Sequence, residues 1–344
     1  MKNTLIILLC TYCLLFACQK QNPEGIDPDC RIYLSVGTTE TKSPYSGTVP
    51  CESEPLDALV CVSTQEYAFP SDGKDGTEDG TIGKHLTAQF QSGSSQLING
   101  AYYNKNHVID VHFIAMHPQS GWAITDNTNA SFTFNGSQDV MFAPHTTGKY
   151  SVNHATSPTL NFKHLLTWIK LEIQAESEDV ATAWGPLESV TIECKNQLSF
   201  DINKEFNTTD IEFSNDGSLS FYQTGRFPDQ EFPGAGKYEM TTTAVDAAYV
   251  LCAPVTATIR DEIAFEQNGE TVRTNEYYIN IKTSNRNARV PVDLKTSEDT
   301  WFSGSTSGKQ FTISLTFKMG NNIAVSASIT DWETGGIGFG KIEE

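Results

Sequence analysis

Apolar and polar residues alternate with a period of two along much of this 344-residue chain, the signature of strands buried on one side. The plainest instance lies near the carboxy terminus. Phe311, Ile313, Leu315 and Phe317 alternate with polar residues, Met319-Gly-Asn-Asn322 supplies a turn, and Ile323, Val325, Ala327 and Ile329 alternate back. That pattern predicts a β-hairpin with one apolar face. Val190, Ile192 and Cys194 alternate in the same way, while 58–62 and 249–253 are continuous apolar runs of strand length, the second stopped by Pro254. Shorter strands are expected at 31–36, 67–69, 122–125, 131–134 and 149–152. Residues 108–116 predict a longer one, with Ile109, Val111, Phe113 and Ala115 on a single face.

The stretch 162–173 fits two periods. Phe162, Leu165, Leu166, Ile169 and Ile173 line a helix face, yet Ile169, Leu171 and Ile173 also alternate with Lys170, Glu172 and Gln174. A strand is the better reading, because the charged side chains fall together on the opposite face. No long helical pattern competes, and no repeat of solenoid length is present. Many short strands between Gly, Asn and Ser turns predict an all-β fold of two β-sandwich domains.

Charge narrows the function. Forty-two acidic residues against 23 basic ones give a formal charge of −19, which repels phosphate backbones and excludes nucleic acid as a partner. It also disfavours docking on anionic lipid, so membrane attachment must be covalent. The amino terminus offers that attachment. Lys2 precedes an apolar core at 5–16, of signal-peptide length and too short to span a bilayer. The core ends in Leu15-Phe-Ala-Cys18, a lipoprotein cleavage box in which the Cys18 thiol accepts the lipid. Cys10 and Cys13 lack a small residue before them. Beyond the leader stand Cys30, Cys51, Cys61, Cys194 and Cys252, an odd number with no C-x-x-C pair. Cys194 and Cys252 sit in strand-like runs and read as small hydrophobes; a Cys51–Cys61 bridge is left open.

Catalytic signatures are not found. Gly304-Ser-Thr-Ser-Gly308 carries Thr where a nucleophile elbow needs Ser, and there is no P-loop, dinucleotide fingerprint or His-Glu-x-x-His. His107, His112 and His117 are spaced by five; on a strand this sends successive side chains to opposite faces, away from a common metal. Asp75-Gly-Thr-Glu-Asp-Gly80 begins like a calcium loop, but its twelfth place is Leu86, so a solvated hairpin loop is the better reading. Tyr102, Tyr103 and Trp122 offer aromatic surface for sugar stacking or for core packing. No catalytic residue, cofactor or metal is expected, and the chain is not read as an enzyme.

Four features resemble the fimbrillins, or type V pilins. They are the lipobox with its following strand Arg31 to Val36, the segment Asp139-Val-Met-Phe-Ala143, the segment Phe162-Lys-His-Leu-Leu-Thr-Trp-Ile169, and the ending Ile329-Thr-Asp-Trp332. The resemblance implies two transthyretin-like sandwiches (43–158 and 159–344) behind a signal peptide (1–17) and a lipidated tether with a removable first strand (18–42). It implies export to the outer membrane as a Cys18 lipoprotein, proteolytic processing at Lys42 or Arg31, assembly by strand donation, and service in adhesion. The donor strand would come from the carboxy-terminal stretch, with Ile323, Val325, Ala327, Ile329, Ile337 and Phe339 as its groove-filling side chains. Implied partners are other fimbrial subunits, the outer membrane through the lipid, and a host or bacterial surface ligand. A glycan-binding surface lipoprotein that does not polymerise is the alternative.

Overall fold

The computed structural model describes residues 27, 30–36, 56–90, 96–150, 157–224, 230–234, 237–255, 265–267, 270–272, 277–292, 294–297, 300–301, 306–320 and 323–331. The chain is nearly all β. Its first strands are β1 (Arg31–Val36), β2 (Leu56–Ser63), β3 (Gly83–Phe90), β4 (Gln96–Tyr102) and β5 (Asp110–His117). A short hairpin follows, β6 (Ala123–Thr125) and β7 (Asn129–Thr133), then β8 (Met141–Lys149), β9 (Thr159–Leu160) and β10 (Lys163–His164). The later elements begin with β11 (Thr167–Ala175), helix α1 (Glu178–Trp184), β12 (Leu187–Asp201), β13 (Glu212–Ser220), β14 (Tyr222–Gln223) and β15 (Val245–Cys252). They end with β16 (Phe265–Gln267), β17 (Glu270–Val272), β18 (Tyr277–Thr283), β19 (Asn287–Val292), β20 (Lys295–Ser297), β21 (Thr300–Trp301), β22 (Lys309–Phe317) and β23 (Ile323–Asp331).

Four principal sheets result, in the orders β4-β1-β9, β10-β8-β5-β2-β3, β14-β15-β11-β22-β23 and β19-β18-β12-β7-β6, with β13 on β12. The hairpin expected at the carboxy terminus is present, with Phe311 opposite Ile329 and Phe317 opposite Ile323. The stretch with two possible periods is the strand β11, where Ile169, Leu171 and Ile173 are buried and Lys170, Glu172 and Gln174 only partly so. It lies at the centre of its sheet, parallel to β22 and antiparallel to β15. Helix α1 is one short element that the alternation did not predict; Ser177 caps it by accepting the Val180 N–H.

Strand pairing crosses the middle of the sequence. β9 pairs with β1, β10 pairs with β8, and the β6–β7 hairpin extends the sheet of β12. Two hydrophobic clusters fill the interior. One, between the first two sheets, gathers Ile32, Leu34, Val60, Val62, Phe113 and Leu160. The other joins the two later sheets and reaches the outer face of the second sheet through Cys61, Ile114, Met116 and Phe142. Phe142 meets Phe200 edge-on and Phe206 at a tilt, with ring centroids 4.8 and 4.6 Å away, contacts that add to plain burial.

The second sheet is therefore covered on both faces, which changes one expectation. β5 was read as having a single apolar face beginning at Ile109. The strand begins at Asp110, its two faces are buried in different clusters, and Val108 and Ile109 are exposed. The cause is local: the Asn104 carboxamide oxygen accepts the N–H groups of Asn106 and His107, and the turn it makes holds 107–109 off the sheet.

Candidate assembly site

β1 is short, but it is the middle strand of its sheet. Antiparallel to β4, it places Ile32 opposite Ile98, Tyr33 opposite Leu97 and Leu34 opposite Gln96. Parallel to β9, it places Ser35 opposite Thr159 and Val36 opposite Leu160. Alternation decides which side chains enter the core: Ile32 and Leu34 are 0% exposed, whereas Tyr33 between them is 39% exposed. Val36 packs against the same cluster from a half-buried position. At the β9 end the Ser35 N–H donates to the Pro158 carbonyl (3.0 Å), and the Ser35 and Thr159 hydroxyls share a hydrogen bond of 3.0 Å.

The other end of β1 is closed by loops. The Tyr103 N–H donates to the Cys30 carbonyl at 2.7 Å, and Lys105 pairs with Asp27 at 2.7 Å. The acidic loop at 71–80 lies against this end, the Tyr102 N–H donating to the Asp75 carbonyl at 2.9 Å. Gly76 makes that approach possible, since its φ is +89° and a Cβ there would fall 2.1 Å from the Tyr102 carbonyl oxygen. The loop's carboxylates cap their own turns: Asp72 accepts from Lys74, Asp75 from the N–H and hydroxyl of Thr77, and Asp79 from Thr81. Burial raises the Asp75 pKa, but the Thr77 hydrogen bonds outweigh it and hold the carboxyl below its ordinary value.

β9 and β10, which continue from this site, are fastened by a buried hydrogen bond between side chains. The His164 Nδ1–H donates to the Asp139 carboxylate at 2.6 Å, with His164 4% and Asp139 8% exposed. The Leu165 N–H donates to the Val140 carbonyl alongside. The two internal segments that resemble fimbrillins thus meet each other here, and sequence reading saw each without seeing the pairing. A second pair lies on β5: His117 donates to the Asp57 carbonyl at 2.7 Å and lies 3.1 Å from its carboxylate. Burial alone would lower the His117 pKa; the Asp57 contacts and the Asp139 charge raise it above its ordinary value. The Asp57 carboxyl is correspondingly held low, chiefly by its bond to His117.

The three evenly spaced histidines do not converge. His107 is exposed, His112 stacks on His145 with an Nδ1–Nε2 separation of 2.7 Å, and His117 turns to Asp57. Among the described residues no group of three His, Cys, Asp or Glu is placed to hold a metal ion. Tyr102 and Tyr103 are buried, and Trp122 packs on Phe132 and Phe200 while donating to the Pro118 carbonyl. These aromatics build the interior rather than an exposed platform for sugars.

Arg31 opens β1 and is paired with Tyr102. Ile323 and Val325 are half-buried in β23, and the backbones of Ala327 and Ile329 continue its pairing with β22. Cys18, Lys42, Cys51, Trp332, Ile337 and Phe339 lie outside the described residues. No described helix is long and apolar enough to cross a membrane.

A fimbrillin-like family model matches residues 63–332. The chain belongs to the fimbrillin-like family. This is a family of fimbrial structural proteins and not of enzymes. No curated protein matches the chain. Among solved structures, a putative cell adhesion protein from Bacteroides uniformis aligns at a TM-score of 0.51 and 12% identity, covering 88% of this chain and 98% of that one. Another from Bacteroides ovatus aligns at 0.49 and 14%, covering 88% and 96%, and a fimbrial protein from Bacteroides vulgatus at 0.46 and 14%, covering 88% and 99%. The first of these supports the all-β fold of this fimbrillin-like chain.

Proposed function

We propose that this fimbrillin-like chain is a fimbrial subunit, exported as a Cys18 lipoprotein and assembled by donor-strand exchange at the outer membrane. The observation that carries the reading is the position of β1, a short strand in the middle of its sheet with Ile32 and Leu34 fully buried. Removing it would leave two unpaired strand edges and an apolar groove between β4 and β9. Such an opening is a template for a strand from another chain. The two buried side chains alone are worth about 3–6 kcal/mol, so an incoming strand that refills their places gains a comparable amount.

The same geometry favours one of the two candidate cuts over the other. Cleavage after Arg31 leaves 32–36 attached and the groove filled, whereas cleavage after Lys42 separates the whole of β1 from the body. Lys42 is therefore the processing site in this proposal. On the donor side, β23 is already paired along its length with β22, which leaves the stretch beyond Asp331, with Ile337 and Phe339, as the segment given to the next subunit.

Truncation after Trp332 tests the donor half of this proposal. The shortened subunit is expected to fold and to be processed like the full chain but to yield no filaments extending from it. Filaments of ordinary length and abundance from the truncated subunit would contradict the assignment.

A further inference from the structure

Alternation fixes which face of a strand enters the core, and a shift by one residue reverses it. A shift by two preserves the faces, so something else must set the register of whatever occupies the place of β1. The deep positions are those of Ile32 and Leu34, with one residue between them, and the next residue, Ser35, meets the Thr159 hydroxyl at 3.0 Å. A strand displaced by two residues in either direction carries a different residue to Thr159.

We infer that the groove selects a strand of the pattern apolar-x-apolar-hydroxyl, running antiparallel to β4 and parallel to β9, and that a different subunit supplies it. The inference rests on the strand-exchange reading above and adds to it the chemistry of the partner. Two segments of this chain could be offered by a second copy. Ile323-Ala-Val325-Ser326 reproduces the pattern of Ile32-Tyr-Leu34-Ser35, but every residue of β23 is paired with β22, from Ile323 on Phe317 to Asp331 on Lys309. Offering it means opening that whole ladder. Ile337-Gly-Phe339-Gly340 keeps the apolar spacing but lacks the hydroxyl. It also brings Phe to a position that holds a fully buried Leu, and overfilling a packed site is unfavourable. A free strand with Leu or Val at the second deep position, followed by Ser or Thr, meets neither obstacle.

The test uses the full chain with Cys18→Ser, cut after Lys42 with β1 still in place, and then exchanged against labelled peptides in mild denaturant. A peptide of residues 29–40 carrying Cys30→Ser is the reference. Leu34→Ala in that peptide should weaken capture about thirtyfold or more, and Ser35→Ala about three- to fivefold. The Ser35→Ala effect should shrink when the protein carries Thr159→Val, the Pro158 carbonyl remaining as a weaker acceptor at 3.5 Å, a coupling that a merely structural role for either residue would not produce. A peptide of residues 332–344 should bind about tenfold or more weakly than the reference. If the reference peptide exchanges while the 332–344 peptide binds equally well, or Ser35→Ala has no effect, the selection rule is wrong and strand exchange stands. If the reference peptide itself never re-enters, the groove reading fails and the selection rule fails with it.

Discussion

The first and last described strands are held in opposite ways. β1 touches its neighbours over short stretches, four residue pairs with β4 and two with β9, yet it sinks Ile32 and Leu34 completely. β23 has a nine-residue ladder with β22, yet Ile323 and Val325 reach only half-buried positions. In β23 the pairing is long and the described apolar side chains, Ile323 and Val325, are only half-buried, whereas in β1 the pairing is short and Ile32 and Leu34 are deep. The difference matters for exchange. A groove that grips by a few side chains can accept any strand with matching chemistry, whereas a long ladder on the sheet edge is lost all at once if its strand departs. β1 is thus the strand suited to replacement, and β23 the strand suited to stay.

The largest expected effect comes from the buried pair that fastens the segment flanking β1. Replacing Asp139 by Ala leaves the buried His164 without its hydrogen-bond partner and should cost about 3 kcal/mol or more, read by urea unfolding. Hydrogen exchange should rise first in 159–165 and in β1 and not in β23. Equal loss of protection in β1 and β23 would show that the two strands are not held differently.

Next comes the direct comparison. Leu34→Ala should destabilise the uncut protein by about 2–5 kcal/mol, whereas Val325→Ala should cost about 1 kcal/mol. Comparable losses in parallel denaturation curves would show that β23 is gripped by its side chains after all.

The β5 pair gives a smaller, pH-dependent effect. The His117 pKa is raised in the folded protein, so its contribution is complete below the unfolded value near 6.5 and is lost as pH rises through the folded value. The Asp57 pKa is lowered, so its contribution is present above the unfolded value near 3.8 and is lost as pH falls through the folded value. The stability difference between wild type and Asp57→Asn should therefore be greatest between about pH 4.5 and 6, near 1 kcal/mol, and smaller at pH 8–9. A difference that grows steadily with pH would contradict this pairing. Smallest of all, Tyr33→Ala should change stability by about 0.5 kcal/mol or less, because that side chain is exposed on the strand whose neighbours are deepest.

These contrasts also mark where the sequence was readable. Alternation in 311–317 and 323–329 gave both strands of the last hairpin, and charge on one face of 169–174 separated strand from helix. The strand at 31–36 was visible for the same reason. Pairing partners were not, because alternation reports a residue's face and says nothing of which strand lies alongside. Hence the parallel contact of β1 with β9 and the union of the β6–β7 hairpin with β12 emerged only in three dimensions. β5 shows a second limit: a strand buried on both faces has no polar face to reveal its start, and Ile109 looked like core. The Asp139–His164 bond shows a third. Two polar residues 25 positions apart carry no local sign that they bond to each other.

The central claim is that β1 is a temporary occupant of its own sheet. Mass spectrometry of the mature amino terminus, in protein from the envelope and from sheared surface filaments, tests it most directly. The account predicts a filament form that begins at Ser43, without lipid and without residues 31–36. Filaments built from chains that still carry β1 and an acylated Cys18 would contradict it.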